Sequence, residues 1–466
     1  MNINKRRAYR NLKRKHLKWR RRKGYVNHFL NVAAVCRKRD IAFERPPNYL
    51  ELKRIIFSTT KPAFSETINY LAMQQKAFSK KSVDLPKDGI FEIPELFSLS
   101  DNNEDSFIFL KKLFYALHQD KFEEIIIDYG KCKRVDLDAS ICMDILLKEF
   151  SQYITKCHIR RFPLALRRVS TKNTNVNQDV SKMLLSSGAF TTLRGIKLNF
   201  PDMITYSLCI GNKKRRNAGA KRELDITDLM EYVLRCLKAM KKELTADAED
   251  NLYKVIGEIL INAEEHSDMN KRYSIGYFQT AGDSLADCEE GIFNLVIFNF
   301  GQTIYEKFKD PDCPNQTVVN QMKLLSEAYT SRNFFMTSKF EEETLWTLYS
   351  LQEGVTSHKD WKRGNGSIRF IDSFFKLKGN STHDQVSKMT IMSGNARIVF
   401  DGTYAIIEKP KTGQRKPSKL MTFNNSGGFD EQPDKKFVNF ADNYFPGTMI
   451  VAKIGIKNSI LEQSGG

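Results

Sequence analysis

The sequence predicts an α/β protein in which two α/β domains follow a basic N-terminal arm. A strand–turn–helix unit spans Glu123 to Phe150, and such a unit is typical of a parallel α/β sheet. In the second half of the chain, an apolar stripe at helical spacing over residues 252–263 precedes a buried strand at residues 295–298. Positive charge is concentrated in the first 40 residues. These three observations define the domain order.

The N-terminal arm, residues 1–40, holds most of the net charge. Its 15 basic residues and one Asp give +14 of the chain's +19, and 12 of the first 23 residues are Lys or Arg. Basic side chains displace counterions from phosphates, and the interleaved Tyr9 and Trp19 can stack on bases. We therefore expect the arm to contact nucleic acid, either DNA or RNA. A solvated tail, a nuclear-localisation-like address and a membrane-surface patch remain alternatives. The basic residues expected at this interface are Arg6, Arg7, Arg10, Lys13, Arg14, Lys15, Lys18, Arg20, Arg21, Arg22 and Lys23.

A connecting segment, residues 41–87, leads to the first α/β domain, residues 88–210, and we expect a helix near Ser65 to Phe78. The domain begins with a buried strand that ends at Asp128 and is followed by a helix that carries buried aliphatic residues. The aliphatic residues of this helix are Ile141, Ile145 and Leu146. A second amphipathic helix, over Asp179 to Phe190, is expected to be capped by Gly188.

This arrangement over residues 88–202 resembles a STAS domain, the module of anti-sigma-factor antagonists. The resemblance implies a protein partner, often an ATPase. In that family a Ser that follows an Asp at the start of the helix can be phosphorylated. Ser140, after Asp138 and Ala139, stands nearest that place, although Ile141 replaces the glycine of the family. The alternative is that Ser140 only caps a helix.

A basic, glycine-containing linker, residues 211–224, is expected to join the first domain to the second, residues 225–458, which leaves a tail at 459–466. Within the second domain, the polar residues 409–436 are expected to form a mobile loop or a hairpin between strands.

The strongest functional signal is the stretch EILINAEEH, from Glu258 to His266. Glu258, Asn262 and His266 share the polar face of an amphipathic helix. A carboxylate one turn from a carboxamide can position a water molecule and coordinate Mg²⁺ through oxygen. Taken alone, the pattern would more often be a solvated helix face.

Glycine-containing elements follow downstream in a fixed order. A buried strand ends at Asn299 and Gly301, where a polar side chain can read a base edge and the glycine permits close approach. Gly364 and Gly366 form a glycine loop that opens a helix, where amide groups favour phosphate. The stretch PGTMIV begins at Pro446. This order makes ATP binding the leading hypothesis.

Over about Leu224 to Ile456, these motifs resemble the GHKL ATPases (gyrase, heat-shock chaperone, histidine kinase, MutL), and the resemblance implies a Bergerat-type α/β sandwich that binds ATP and Mg²⁺. By position, Glu258 resembles the catalytic or water-positioning glutamate, and Asn262 resembles the Mg²⁺ ligand. The resemblance places further nucleotide-binding positions at His266, at Asn299 and Gly301 (adenine), at Gly354, Thr356 and Ser357 (lid), at Gly364 and Gly366 (phosphate loop), and at Gly447 and Thr448 (adenine pocket).

Two positions depart from the family pattern. Asn299 stands where the family has Asp, so the side chain can accept a hydrogen bond from adenine but carries no charge. Glu265 stands where histidine kinases often have Lys, so a charge that neutralises phosphate is absent there. The sequence therefore supports nucleotide binding better than fast turnover.

Composition limits the remaining classes. The sequence has neither an apolar run of the roughly 18 residues that a membrane span needs nor a secretory h-region. The eight cysteines lack a C-x-x-C pair and fit reduced thiols in a cytoplasmic protein.

The leading expectation is an intracellular switch that binds and hydrolyses ATP and acts with a nucleic-acid-containing or protein partner. Bacterial defence or regulation is the context that this composition suggests, and the ATPase resemblance makes a homodimer plausible. The alternatives are a serine/threonine protein kinase of the anti-sigma-factor type and a non-hydrolysing scaffold that binds nucleic acid.

Overall fold

The computed structural model describes residues 62–74, 83–160, 164, 166, 168–172, 176–187, 198–265, 269–282, 285, 289–330, 340–357, 366–376, 386–409, 418–429 and 431–457. The chain forms two compact units, one of residues 1–64 with 150–165 and the other of residues 65–149 with 166–466. All the strands described below lie in the second unit. None of the described helices is long and apolar enough to cross a membrane.

The first α/β part has a short helix followed by alternating strands and helices. Its elements are α1 (Glu66–Met73), β1 (Ile90–Glu92), β2 (Leu96–Phe97), α2 (Asn103–Gln119), β3 (Glu124–Asp128), β4 (Arg134–Val135), α3 (Leu137–Arg160), β5 (Arg168–Lys172) and α4 (Gln178–Ser186). Strands β1, β3 and β5 form a parallel sheet in that order, and β2 pairs with β4, also in parallel. The parallel α/β class expected for this part is confirmed.

The individual elements follow the sequence closely. Ser65 is the N-cap of α1, because its Oγ accepts a hydrogen bond from the Ile68 N–H at 3.2 Å. Strand β3 ends at Asp128 as expected, and the aliphatic residues expected on α3 are buried. Helix α4 ends at Ser186 with Ser187 as its C-cap. The expected cap, Gly188, lies outside the described residues.

The second α/β part is a sheet of five strands with helices between them. Its elements are β6 (Met203–Asn212), α5 (Ala218–Ala239), α6 (Ala246–Glu265), β7 (Lys271–Thr280), β8 (Glu290–Phe300), α7 (Ile304–Lys309), α8 (Gln316–Thr330), α9 (Glu342–Ser350), α10 (Gly366–Lys376), β9 (Lys388–Phe400), β10 (Ile407–Lys409), β11 (Ser418–Leu420) and β12 (Val438–Lys457). The strand order is β6-β7-β8-β12-β9, with antiparallel neighbours throughout. Together the two parts make a mixed α/β protein.

The segment expected to be a linker, residues 211–224, is mostly regular structure. Strand β6 continues to Asn212 and α5 starts at Ala218, so only a short turn separates them. The sheet of the second part thus begins at Met203, inside the range assigned to the first domain. Gly211 suggested a linker in the sequence, but it lies in strand β6. A Cβ at this position would lie 2.6 Å from Glu264 Oε1, so the glycine marks a close approach within a strand, not a flexible joint.

The polar stretch 409–436 contains one arm of a hairpin. Strands β10 and β11 pair antiparallel, with Ile407 opposite Leu420. The expected hairpin is therefore present, and its tip, residues 410–417, lies outside the described residues.

The five-stranded sheet is covered on both faces. Because side chains alternate along a strand, Ile391 and Ile450 line a cavity on the helix-bearing face, while Thr390 and Val451 line a smaller one on the other face. The first α/β part supplies Ser100 and Asp136 to the smaller cavity. Across the same contact, Arg397 Nη2 donates to the Ser100 carbonyl at 2.5 Å, and Lys388 pairs with Asp101. The two α/β parts are therefore packed together through charged contacts.

Candidate functional site

Helix α6 places Asn262 at a cavity of about 130 Å³. The apolar stripe of α6 is buried in the core at Leu252, Val255, Ile256, Ile259 and Leu260, and this packing fixes which face the helix turns to the cavity. The Asn262 side chain is half-buried, and the described residues offer it no hydrogen-bond partner. Its carboxamide is therefore available to a ligand.

The cavity collects residues from segments that are far apart in sequence. Its apolar part includes Ile297, Ile391 and Ile450 from three neighbouring strands. Its polar part comes from helices and turns. The polar lining residues are Asn262, Asn299, Gln302, Thr303, Lys307, Ser350, Thr356, Ser357, Ser367 and Thr448. Of the expected site residues, Asn262, Asn299, Thr356, Ser357 and Thr448 thus meet at one place.

Asn299 ties helix α6 to strand β12. Its Nδ2 donates to the Ala263 carbonyl at 2.7 Å, and its Oδ1 accepts from the Thr448 N–H at 3.1 Å. Because the carbonyl can only accept and the N–H can only donate, the orientation of the carboxamide is fixed. One acceptor lone pair and one donor hydrogen remain for a ligand. The sequence predicted that this side chain could read a base edge, but not the two hydrogen bonds by which it bridges α6 and β12.

Gly301, directly after β8, and Gly447, in the middle of β12, permit a close approach of the two backbones. Gly447 has φ +150°, and a Cβ at this position would lie 2.0 Å from the Asn299 carbonyl oxygen. Gly301 has φ +139°, and its N–H donates to the Pro446 carbonyl at 3.1 Å. Both glycines therefore allow the backbone contacts that form the cavity wall. The fold requires them for this reason, whether or not they contact a ligand.

Ser393 is a site residue that no sequence motif indicated. Its Oγ accepts from the Ile304 N–H at 2.9 Å and lies 2.9 Å from Thr448 Oγ1. Ser393 thereby fixes both the start of helix α7 and the hydroxyl of Thr448. A single Ser in the middle of a long strand carries no spacing signal, so only the pairing of β9 with β12 reveals it.

The turn expected to be a lid borders the cavity. Gly354 has φ +84°, a conformation that favours glycine. Thr356 and Ser357 follow it and are buried, and the Thr356 carbonyl accepts from Asn315 Nδ2 at 2.9 Å. Helix α10 starts at Gly366, as expected, and presents Ser367 to the cavity.

The remaining expected site residues are not among the described residues that line the cavity. Glu258 lies one turn before Asn262 on α6, is half-buried and is not among the described residues that line the cavity. His266, Gly364 and the basic arm lie outside the described residues.

Ser140 occupies neither of its two expected roles in this conformation. Its side chain is fully buried, and helix α3 already begins at Leu137, so Ser140 is not the cap. The neighbouring Asp138 accepts hydrogen bonds from the Ser100 and Ala139 N–H groups, each at 2.7 Å. Burial, with a smaller contribution from the Asp136 carboxylate, raises the pKa of Asp138 to about 6. A kinase cannot reach a hydroxyl in this position.

A second group of potential metal ligands lies away from the cavity. Atoms of Cys209, Asp225 and Asp228 lie within 4.8 Å of one another. However, Asp225 is paired with the fully buried Arg272 at 2.6 Å and also with Lys221. Because these two cations already compensate the carboxylate, Asp225 is poorly suited to take a metal ion.

Comparison of this chain with protein-family models, with curated proteins and with solved structures gives no match.

One prediction follows from the bridge made by Asn299. Asn299→Asp restores the residue typical of the resembling ATPases, yet we expect it to destabilise the protein by about 1–3 kcal/mol, the cost of an uncompensated buried polar group. The carboxylate would face the Ala263 carbonyl, now 2.7 Å from Nδ2, without a hydrogen to donate. Urea unfolding measures the change. A variant as stable as the wild type would show that the bond to Ala263 is unimportant.

Proposed function

We propose that this chain is an ATP-binding and ATP-hydrolysing switch protein whose nucleotide occupies the cavity beside Asn262. The observation that carries the proposal is the convergence of the expected motif residues, from α6, the end of β8, the turn at Thr356 and β12, on one cavity. The finer fold assignments belong to the same proposal. The sheet with its helix-bearing face supports a Bergerat-type sandwich, and the parallel sheet before it supports a STAS-like domain.

The lining of the cavity suits a purine. Its volume is about 130 Å³, which is the scale of a cavity that holds one six-membered aromatic ring, so the rest of a nucleotide would extend beyond it. Ile297, Ile391 and Ile450 offer apolar surface, while the remaining donor and acceptor of Asn299 can pair with a base edge. This combination favours adenine recognition through one polar edge and two ring faces.

Mg²⁺ suits the chemistry of the residues near the cavity. The cation prefers oxygen ligands and keeps several waters, and the Asn262 carboxamide oxygen is available to it. When bound, Mg²⁺ would neutralise phosphate charge. Glu258, one turn away on the same helix and outside the described cavity lining, would hold the attacking water at the edge of the cavity and take its proton.

Calorimetric titration with adenosine, ADP and ATP tests the proposal. We expect the wild type to bind all three, and Ile450→Trp to lose all three because the larger ring fills the apolar part of the cavity. The melting temperature of the variant serves as the control for folding. If the wild type binds none of these ligands, or if Ile450→Trp binds them as well as the wild type does, the cavity is not the nucleotide site.

We also propose that the switch acts in the cytoplasm with nucleic acid, through the basic arm. A second basic surface supports this partner. Lys213, Lys214, Arg215 and Arg216 form an exposed turn between β6 and α5. Backbone bonds hold the turn in place, with the Lys213 N–H donating to the Asn270 carbonyl at 3.0 Å. The turn and the arm together would contact phosphate groups.

Deletion of residues 2–23 should separate the two binding functions. The deletion removes 12 basic residues, so we expect nucleic-acid affinity to fall and its salt dependence to flatten, because that slope counts neutralised phosphates. ATP binding and the melting temperature should stay unchanged. Fluorescence anisotropy with labelled DNA and RNA at several salt concentrations measures the effect. Unchanged affinity and slope would assign the contact to the turn at Lys213–Arg216, whereas no binding by the full chain would exclude nucleic acid as a partner.

The protein-kinase alternative predicts a different product. A kinase transfers the γ-phosphate to a Ser or Thr, whereas an ATPase releases free phosphate. Incubation with γ-labelled ATP distinguishes the two, and a non-hydrolysing scaffold would give neither product. The burial of Ser140 disfavours this residue as an acceptor within the same chain.

A further inference from the structure

Lys307 is the single charged side chain among the described residues that line the cavity. The other described lining residues are apolar or carry neutral polar groups, and none is a carboxylate. Because the described lining residues contribute one cation and no carboxylate, they favour a negatively charged ligand. At Glu265 the sequence lacks the basic residue that would neutralise phosphate, and Lys307 supplies a positive charge from a different element.

The position of Lys307 is set by the way helix α7 is anchored. Thr303 and Glu306 form a capping box, in which the Thr303 Oγ1 accepts from the Glu306 N–H at 3.1 Å and the Thr303 N–H donates to Glu306 Oε2 at 3.0 Å. The other carboxylate oxygen of Glu306 accepts from the Tyr444 hydroxyl at 2.6 Å. Phe308 is buried in the core. The start of α7 is therefore held in place, and the half-buried Lys307 side chain lines the cavity.

Lys309, two residues later, has a different environment. It is exposed, pairs with Glu342 at 3.0 Å and lies 5.1 Å from the centre of the Trp346 ring. Lys309 does not line the cavity. It therefore provides a matched control, with the same charge on the same helix.

Hydroxyl groups accompany Lys307 at the cavity. Ser357 is only 4% exposed, and the described residues offer its Oγ no hydrogen-bond partner. Ser367, at the start of α10, also lines the cavity and has no side-chain partner among the described residues. Hydroxyls and an ammonium group are the donors that phosphate oxygens accept from.

We infer that Lys307, assisted by Ser357 and Ser367, binds the phosphate groups of the nucleotide and makes the cavity select ATP and ADP over adenosine. The inference rests on the proposed nucleotide site. Lys307 binds phosphate in the ground state, so its role does not depend on hydrolysis.

The inference is tested by calorimetric titration of three variants with adenosine, ADP and ATP. The variants are Lys307→Gln, Lys307→Arg and Lys309→Gln. Loss of a charged hydrogen bond to phosphate should weaken ADP and ATP binding to Lys307→Gln about 10- to 100-fold. Adenosine binding should not change. Lys307→Arg should retain most of the affinity, and Lys309→Gln should match the wild type for all three ligands.

Three outcomes would overturn the inference. Unchanged ATP affinity in Lys307→Gln would exclude a phosphate contact. An equal loss for adenosine would mean that Lys307 shapes the ring pocket instead, and an equal loss in Lys309→Gln would mean that general charge is responsible. Failure of the proposed function looks different, because the wild type itself would then bind none of the ligands.

Discussion

Glu258→Gln should slow phosphate release from ATP by about 10²–10⁴-fold, the usual contribution of a general base. The substitution keeps the size of the side chain and its capacity for hydrogen bonds but removes the group that takes a proton from water. Glu258 is half-buried on α6, one turn before Asn262. Nucleotide should still bind, since the described residues that line the cavity do not include Glu258. A phosphate-release assay under saturating Mg-ATP measures the effect.

Glu249→Gln is the matched control, because Glu249 is an exposed carboxylate in the first turn of the same helix. We expect its rate to equal that of the wild type. Normal phosphate release from Glu258→Gln would show that Glu258 is structural or that the measured activity belongs to a contaminant. Equal losses in the two variants would point to an effect on the helix, not on the chemistry.

The parts of the site that the sequence could predict are those with a periodic or ordered signal. The apolar stripe from Leu252 to Ile259 fixes the core face of α6, so the opposite placement of Asn262 follows from helical geometry. The order of Asn299 and Thr448 along the chain suggested a shared site, and their direct hydrogen bond at 3.1 Å joins them. Helical periodicity and motif order can be predicted because both are visible as spacing along the chain.

The parts that the sequence could not predict depend on strand pairing. Ser393 reaches the site because β9 lies beside β12, with Ser393 opposite Thr448. Lys307 is one Lys among many, and only the anchoring of α7 distinguishes it from Lys309. Gly211 was expected in a linker because glycine beside basic residues is typical of a linker. The close approach of Glu264, which explains this glycine, is a tertiary contact.

The two faces of the sheet connect the candidate site to the first α/β part. Thr448 of β12 lies at the cavity, and Lys453 on the same strand lines the smaller cavity together with Ser100 and Asp136. A shift of β12 on nucleotide binding would therefore act on both faces. This arrangement suits the proposed switch, because the same strand lines the candidate cavity and contacts the neighbouring α/β part.

Asn262→Ala should remove Mg²⁺-dependent ATP binding. Even loss of an outer-shell partner typically costs a metal site about 10–100-fold in affinity, so loss of a direct ligand should cost at least as much. The fold should survive, because the side chain is half-buried and has no hydrogen-bond partner among the described residues. Calorimetry with ATP, with and without Mg²⁺, measures the change, and thermal unfolding checks the fold.

Asn262→Asp separates a role in metal binding from a role in shape. Aspartate keeps an oxygen at the same place and adds a negative charge, so it should retain the Mg²⁺ dependence that Asn262→Ala loses. Adenosine, which needs no metal, should bind both variants as it binds the wild type. If Asn262→Ala keeps the Mg-ATP affinity of the wild type, the metal is held elsewhere. If it loses adenosine and ATP alike, Asn262 contacts the nucleoside, and the Mg²⁺ ligand must be sought among the other oxygen donors of the cavity.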